Sequence, residues 1–166
     1  DGAELTDSIG GAHGVLREAD GSQLSGGQLV LGGGSPNSAG YGDLPNGLIS
    51  GLTNLTIEAW YTPQANQNWG RVFDFGSTDG GGGVGTELFG PGDGGAGMDY
   101  LIFTANRGTT PNTQRTELRN DDQIAAPQTG IQNIDSNNAL GLGNQVHVAV
   151  VYDDTASTLE TFIDGA

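Results

Sequence analysis

The chain has 166 residues, the length of one domain with a sizeable core. It carries 20 acidic residues against five Arg and no Lys, and this net charge of −15 argues against binding to nucleic acid or to anionic membranes. Cysteine is absent, which excludes disulfides and thiol chemistry, and no apolar run approaches the ~20 residues of a membrane span. Such a charge favours solubility and cation binding.

Short strand-like runs recur along the chain, and helical periodicity is almost missing. The runs cover residues 14–16, 28–31, 55–62, 71–76, 100–105, 115–119, 146–152 and 159–163. Clusters of turn-forming residues separate them, and 31 residues are Gly, far above the usual ~7%. Because many short strands divided by turns are typical of sandwiches and barrels, the sequence predicts an all-β, antiparallel fold of two sheets.

Alternation with period two predicts which face of each strand is buried. In 55–62 the odd-numbered positions are the core side, so Glu58 and Trp60 point outward. In 146–152 the even-numbered positions are the core side, so His147 points outward. In 159–163 the odd-numbered positions point inward.

Two long Gly-rich stretches, 77–99 and 121–144, interrupt this pattern. Loops of such length in a compact domain are usually functional or disordered. Two alternatives stay open for the first stretch: a surface loop without a function, or a functional loop.

Five segments in order resemble the laminin-G-like, or concanavalin A-like, jelly rolls. They are Leu55-Thr56-Ile57-Glu58-Ala59-Trp60 (x-T-I-E-A-W), 146–153 (H-H-V-A-V-T-Y-D), 158–165 (G-T-L-x-L-Y-V-D-G), 71–76 and 11–16 (G-N-H-G-T-L). The resemblance implies a single jelly-roll domain over 1–166. It further implies a secreted or surface-displayed protein, which we expect to be bacterial.

Members of that family normally continue for several strands past the Asp-Gly turn of the last hairpin. The present sequence reaches that turn at Asp164-Gly165. We therefore expect a domain that lacks its C-terminal strands, which further chain or a neighbouring subunit would supply, because unpaired strand edges invite pairing.

A shorter resemblance points to jelly-roll alginate lyases. Arg115-Thr116-Glu117-Leu118-Arg119 is similar to their R-S/T-E-L-R strand, and Gln145-Val146-His147 to their Q-I/V-H strand. This resemblance implies that Gln145, Arg115 and Arg119 neutralise a uronate carboxylate while His147 takes the C5 proton. Their third motif, Y-F-K-A-G-x-Y, is absent. The alternative for the first segment is an exposed strand with ion pairs, and for His147 a hydrogen bond to a neighbouring side chain.

Two tryptophans are candidates for sugar binding. Trp60 with Glu58 on the outer face would supply a stacking ring and a hydroxyl acceptor. Burial of Trp60 beneath a loop or further strands is the favoured alternative, and Trp69, at a loop edge, is expected to be the better exposed ring. With Arg115, Glu117, Arg119 and His147, these residues make up the predicted ligand-binding set.

Calcium is a further candidate ligand, because laminin-G-like domains often bind it at the rim of the sandwich. Calcium prefers 6–8 oxygen ligands, and Asp79, Asp93, Asp121 and Asp122 are suitable donors. Solvated acidic loops are the alternative for these four residues. The D-x-D-x-D-G pattern of calcium-binding loops is absent from the sequence.

The sequence favours a binding or adhesion module for carbohydrate or protein over an enzyme. The E-x-D-x-x-E pair of jelly-roll glucanases is missing. Two alternatives stay open: a structural subunit of an extracellular assembly, completed by strand donation, and a polyuronate lyase.

Overall fold

The computed structural model describes residues 3–17, 21–34, 39–76, 100–108, 113–119, 131–137 and 140–166. These ranges contain strands and no helix, so the predicted all-β class is confirmed. No helix of membrane-spanning length and hydropathy occurs in them. The strands are β1 (Glu4–Leu5), β2 (Gly14–Arg17), β3 (Gln23–Ser25), β4 (Gln28–Val30), β5 (Tyr41–Asp43), β6 (Asn54–Tyr61), β7 (Arg71–Gly76), β8 (Tyr100–Thr104), β9 (Gln114–Arg119), β10 (Ile131–Ser136), β11 (Val146–Asp153) and β12 (Thr158–Ile163).

The described residues up to Gly51 form one compact unit and those from Leu52 form another. In the first unit, sheet I has the order β1-β2-β5, and β3 and β4 form a separate hairpin. Arg17 on β2 forms an ion pair with Asp43 on β5, with 2.7 Å between Nη2 and Oδ2. The assignment of the whole chain to a single domain stays a prediction.

The second unit holds two antiparallel sheets. Sheet II has the order β10-β9-β8-β7, and sheet III has the order β12-β11-β6. Buried Leu101 and Phe103 of sheet II form one apolar cluster with Val146, Val148 and Val150 of sheet III. The two sheets therefore pack face to face, and each has an outer face turned away from the other.

The predicted alternation is confirmed on all three strands of sheet III. The valines at 146, 148 and 150 are at most 7% exposed, and Leu55, Ile57, Leu159 and Ile163 pack against them. Thr161 also points inward, since its hydroxyl lies 2.5 Å from that of Thr116 on β9. This contact joins the inner faces of the two sheets.

Strand β10 corrects one expectation. Residues 121–144 were expected to form a long irregular stretch, but Ile131–Ser136 pairs along its full length with β9, from Ile131 opposite Arg119 to Ser136 opposite Gln114. Asn and Asp are depleted in strands, so the local sequence gives little indication of β structure here. Pairing with a neighbouring strand overrides that weak propensity. The stretch 77–99 lies outside the described residues.

Candidate functional site

An exposed indole dominates the outer face of sheet III. Trp60 on β6 lies directly opposite His147 on β11, and the two ring centroids are 4.5 Å apart at an interplanar angle of 35°. Their neighbours in sequence, Ala59 and Val148, point to the core, so the alternation of both strands turns the two rings outward. Trp60 is 66% exposed. The favoured expectation that Trp60 is buried beneath a loop was therefore wrong, and burial beneath further strands stays a prediction.

A carboxylate and an imidazole lie beside this ring. Glu58 Oε2 is 3.1 Å from His147 Nε2, and the Glu58 side chain is 53% exposed. The hairpin turn after β12 fixes the β11 backbone at this point, because the amide of His147 donates to Asp164 Oδ1 (2.8 Å) and the amide of Asp164 donates to the His147 carbonyl (2.9 Å). Because the His147 imidazole is bonded to the Glu58 carboxylate, the alternative in which His147 bonds a neighbouring side chain is confirmed.

Phe162 extends the same surface and was not among the predicted site residues. It lies on β12 opposite Ala149, which in turn lies opposite Glu58 on β6. The inward assignment of residues 159, 161 and 163 already implied that Phe162 points outward, and that was the available signal. We call Glu58, Trp60, His147 and Phe162 the Trp60 face.

Arginine and carboxylate side chains fill the outer face of sheet II. Arg115 on β9 holds Asp135 on β10 through two bonds, Nε to Oδ1 at 2.6 Å and Nη2 to Oδ2 at 2.9 Å. Its Nη1 donates to Glu117 Oε2 at 3.0 Å. Arg107 also pairs with Asp135. The nearby guanidinium groups, that of Arg115 above all, hold the pKa of Asp135 below its usual value.

Tyr100 completes this group. Its hydroxyl donates to Glu117, and Arg119 lies over its ring with the guanidinium carbon 5.9 Å from the centroid. Burial, together with that hydrogen bond, raises the pKa of Tyr100, so the phenol stays protonated as a donor. We call Tyr100, Arg107, Arg115, Glu117 and Asp135 the Arg115 network. Tyr100 and Asp135 were not predicted, because only strand register brings them to β9.

The structure does not assemble the site expected of a polyuronate lyase. Arg115 and Arg119 lie on sheet II, whereas His147 lies on sheet III and Gln145 just before β11. Thr116 is next to Arg115 and faces sheet III, so Arg115 faces away from sheet III. Val146 and Val148 flank His147 and face sheet II, so His147 faces away from sheet II. Arg115 and His147 therefore point to opposite outer faces. Arg115 is moreover already bonded to two carboxylates, which argues against its binding a uronate carboxylate.

Trp69 is more constrained than expected. It is 41% exposed, so the prediction that it is the better exposed tryptophan was wrong. Its backbone has a positive φ of 58°, its amide donates to the Asn106 carbonyl, and the Arg71 guanidinium lies 5.4 Å from the centre of its ring. A Cβ at Gly108 would overlap the indole nitrogen, so the ring packs closely against that backbone.

The four predicted calcium ligands, Asp79, Asp93, Asp121 and Asp122, lie outside the described residues. Within the described ranges, no group of three or more His, Asp and Glu residues is placed to hold a metal ion. The calcium hypothesis stays a prediction.

A laminin G family model, described as the concanavalin A-like lectin/glucanases superfamily, matches residues 36–166. The chain belongs to this superfamily. The predicted family and the predicted antiparallel sandwich are both confirmed. No curated protein and no solved structure matches the chain. Membership of this superfamily supports a module that binds carbohydrate or protein, and laminin-G-like domains are typically extracellular.

Proposed function

We propose that this superfamily member is a non-catalytic carbohydrate-binding module of a secreted or cell-surface protein, and that the Trp60 face is its binding surface. One observation carries the proposal: an indole that is 66% exposed stands on a regular strand, beside an exposed carboxylate. Tryptophan is enriched at binding interfaces, because its ring gives a large apolar contact area and its N–H donates a hydrogen bond.

The chemistry of the face suits a sugar ring. Aromatic rings pack against the apolar C–H face of a sugar, and carboxylate oxygens accept hydrogen bonds from its hydroxyls. Trp60 and Glu58 are two residues apart on one strand, so they present both groups on the same side. A ligand lying along β6 would meet both.

The position of these groups on a sheet keeps them rigid. β6 pairs with β11 from Asn54 opposite Asp153 to Tyr61 opposite Val146. His147 packs against the Trp60 ring and holds the Glu58 carboxylate, which limits the rotamers of both side chains. Side chains that are already held in place on a paired strand lose less conformational entropy when the ligand binds.

Glycan-array binding followed by calorimetry with the retained glycans tests the proposal. The variant Trp60→Ala should weaken binding by about 1.5–3 kcal/mol, roughly 10- to 100-fold, because the stacking surface is lost. Thr56→Ala is the matched control, since Thr56 is exposed on the same face of the same strand. A blank array for the wild-type protein, or equal losses in both variants, would reject the proposal.

A structural role in an assembly is a second candidate, and the edge of sheet III favours it. In the described part of the chain β12 pairs on one side only, with β11. A cleft of ≈ 220 Å³ opens between the sheets beside it, lined by residues that include Phe103, Thr116, Thr161 and Ile163. A strand added along β12 would extend sheet III and cover this cleft. Light scattering tests this role, and a monomer at every concentration would count against it.

A further inference from the structure

The two outer faces of the second unit differ in whether arginine side chains compensate their carboxylates. The five Arg residues are at positions 17, 71, 107, 115 and 119, and the chain has no Lys. None of them lies on β6, β11 or β12, so sheet III contains no permanently positive side chain. The carboxylates of its outer face are Glu58, Asp153 and Glu160, with Asp164 at the adjoining turn.

The carboxylates of sheet II, in contrast, are paired with arginine. Asp74 is bonded to Arg71, and Glu117 and Asp135 are bonded to Arg115. Glu58 has His147 as its ion-pair partner, and that partner is positive only when protonated. Because no Arg or Lys lies on the strands of sheet III, the carboxylates of its outer face have no permanently positive partner there.

On the basis of the proposed function, we infer that the Trp60 face selects glycans with positively charged amino groups, that is, chains of unacetylated amino sugars. Two groups would recognise the ammonium. The Glu58 carboxylate would accept a charge-assisted hydrogen bond from it, and the electron-rich face of Trp60 attracts cations. The sugar ring would stack on the indole, and the ammonium would lie over Glu58.

The same charges act against anionic glycans. A uronate or sulfated chain on this face would meet Glu58, Asp153 and Glu160 without a guanidinium to compensate. Like charges brought together at a binding surface repel each other, which lowers the affinity for an anionic ligand. Neutral glycans would keep the stacking contact and would lose only the ionic one.

The test compares three oligosaccharides of equal length by calorimetry at near-neutral pH: a glucosamine oligomer, its fully N-acetylated form and an oligouronate. We expect the glucosamine oligomer to bind about tenfold tighter than the acetylated form and the oligouronate to bind weakest. The preference for the amine should shrink in ~1 M salt, because exposed charges are then screened.

Glu58→Gln should remove the preference, bringing the affinity for the glucosamine oligomer down to that for the acetylated oligomer, because the amide carries no charge. Asp74→Asn is the control for net charge, since it removes an exposed carboxylate from the outer face of sheet II and should leave the preference intact. Equal affinities of the wild-type protein for the amine and the acetylated form, or tighter binding of the uronate, would overturn the charge inference.

Trp60→Ala separates this inference from the proposed function. If neutral glycans bind and Trp60→Ala weakens that binding about 10- to 100-fold, the proposed function stands whatever the amine preference. If Trp60→Ala leaves every affinity unchanged, both the proposed function and the inference are rejected.

Discussion

The outer faces of sheets II and III both carry carboxylates beside aromatic rings, but the two faces differ in what those carboxylates contact. On sheet II, the Arg115 network joins its charges to one another, and Glu117 at its centre is only 8% exposed. On sheet III, the Trp60 face leaves its indole and its carboxylate in solvent. Charges that are paired and shielded from solvent stabilise a sheet and leave little for a ligand, whereas exposed groups on a rigid sheet are available for binding.

The largest effect should come from breaking the Arg115 network. Arg115→Met leaves Glu117 and Asp135 without their guanidinium, and removing one partner of a poorly solvated ion pair typically costs about 3–5 kcal/mol. Urea denaturation measures the loss. Asp74→Asn breaks the more exposed pair with Arg71 and should cost less than ~1 kcal/mol. Equal losses in the two variants would mean that the network adds no special stability.

A substitution in the Trp60 face should reduce glycan affinity and leave the free energy of unfolding nearly unchanged, unlike one in the Arg115 network. Trp60→Ala should change the free energy of unfolding by no more than about 0.5 kcal/mol, because the indole is largely exposed, while glycan affinity falls 10- to 100-fold. Thermal denaturation and calorimetry on the same sample give both values. A large loss of stability would indicate that the ring is structural, and the contrast between the two faces would then disappear.

Acid should weaken sheet II through Asp135. The pKa of Asp135 is lower in the folded protein than in the unfolded chain, where it is about 3.9. Its contribution is therefore complete above that unfolded value and is lost as the pH falls through the folded value. The stability gap between the wild-type protein and Asp135→Asn should be widest at neutral pH and narrow below about pH 4. A stability difference that does not change with pH would contradict a stabilising ion pair between Asp135 and Arg115.

Calcium should have the smallest effect. If Asp79, Asp93, Asp121 and Asp122 contribute to a site with the affinity usual for extracellular modules, ~1 mM calcium would stabilise the fold by about 0.4–1.4 kcal/mol. Thermal denaturation with calcium and then with excess chelator measures this shift. No shift, together with no heat of binding in calorimetry, would remove calcium from the description of this domain.

Much of the sandwich was predictable because its signal is local. The runs 71–76 and 146–152 match β7 and β11 closely, and the assigned faces hold for sheet III. Strand β10 was not predictable, since its Gln-Asn-Ile-Asp-Ser core has little β propensity and depends on pairing with β9. The site was predicted only in part: Glu58, Trp60 and His147 do lie together, while the exposure of Trp60 was misjudged.

The sequence by itself determined which side chains share a face, because extended chain repeats every two residues and each strand carries that pattern within itself. Only the tertiary structure decided which strands share a sheet. It placed β9 and β11 in different sheets, which separated Arg115 from His147, and it placed Asp135 beside Arg115, 20 residues away in sequence. Strand order depends on contacts between distant segments, and a period of two contains no information about them.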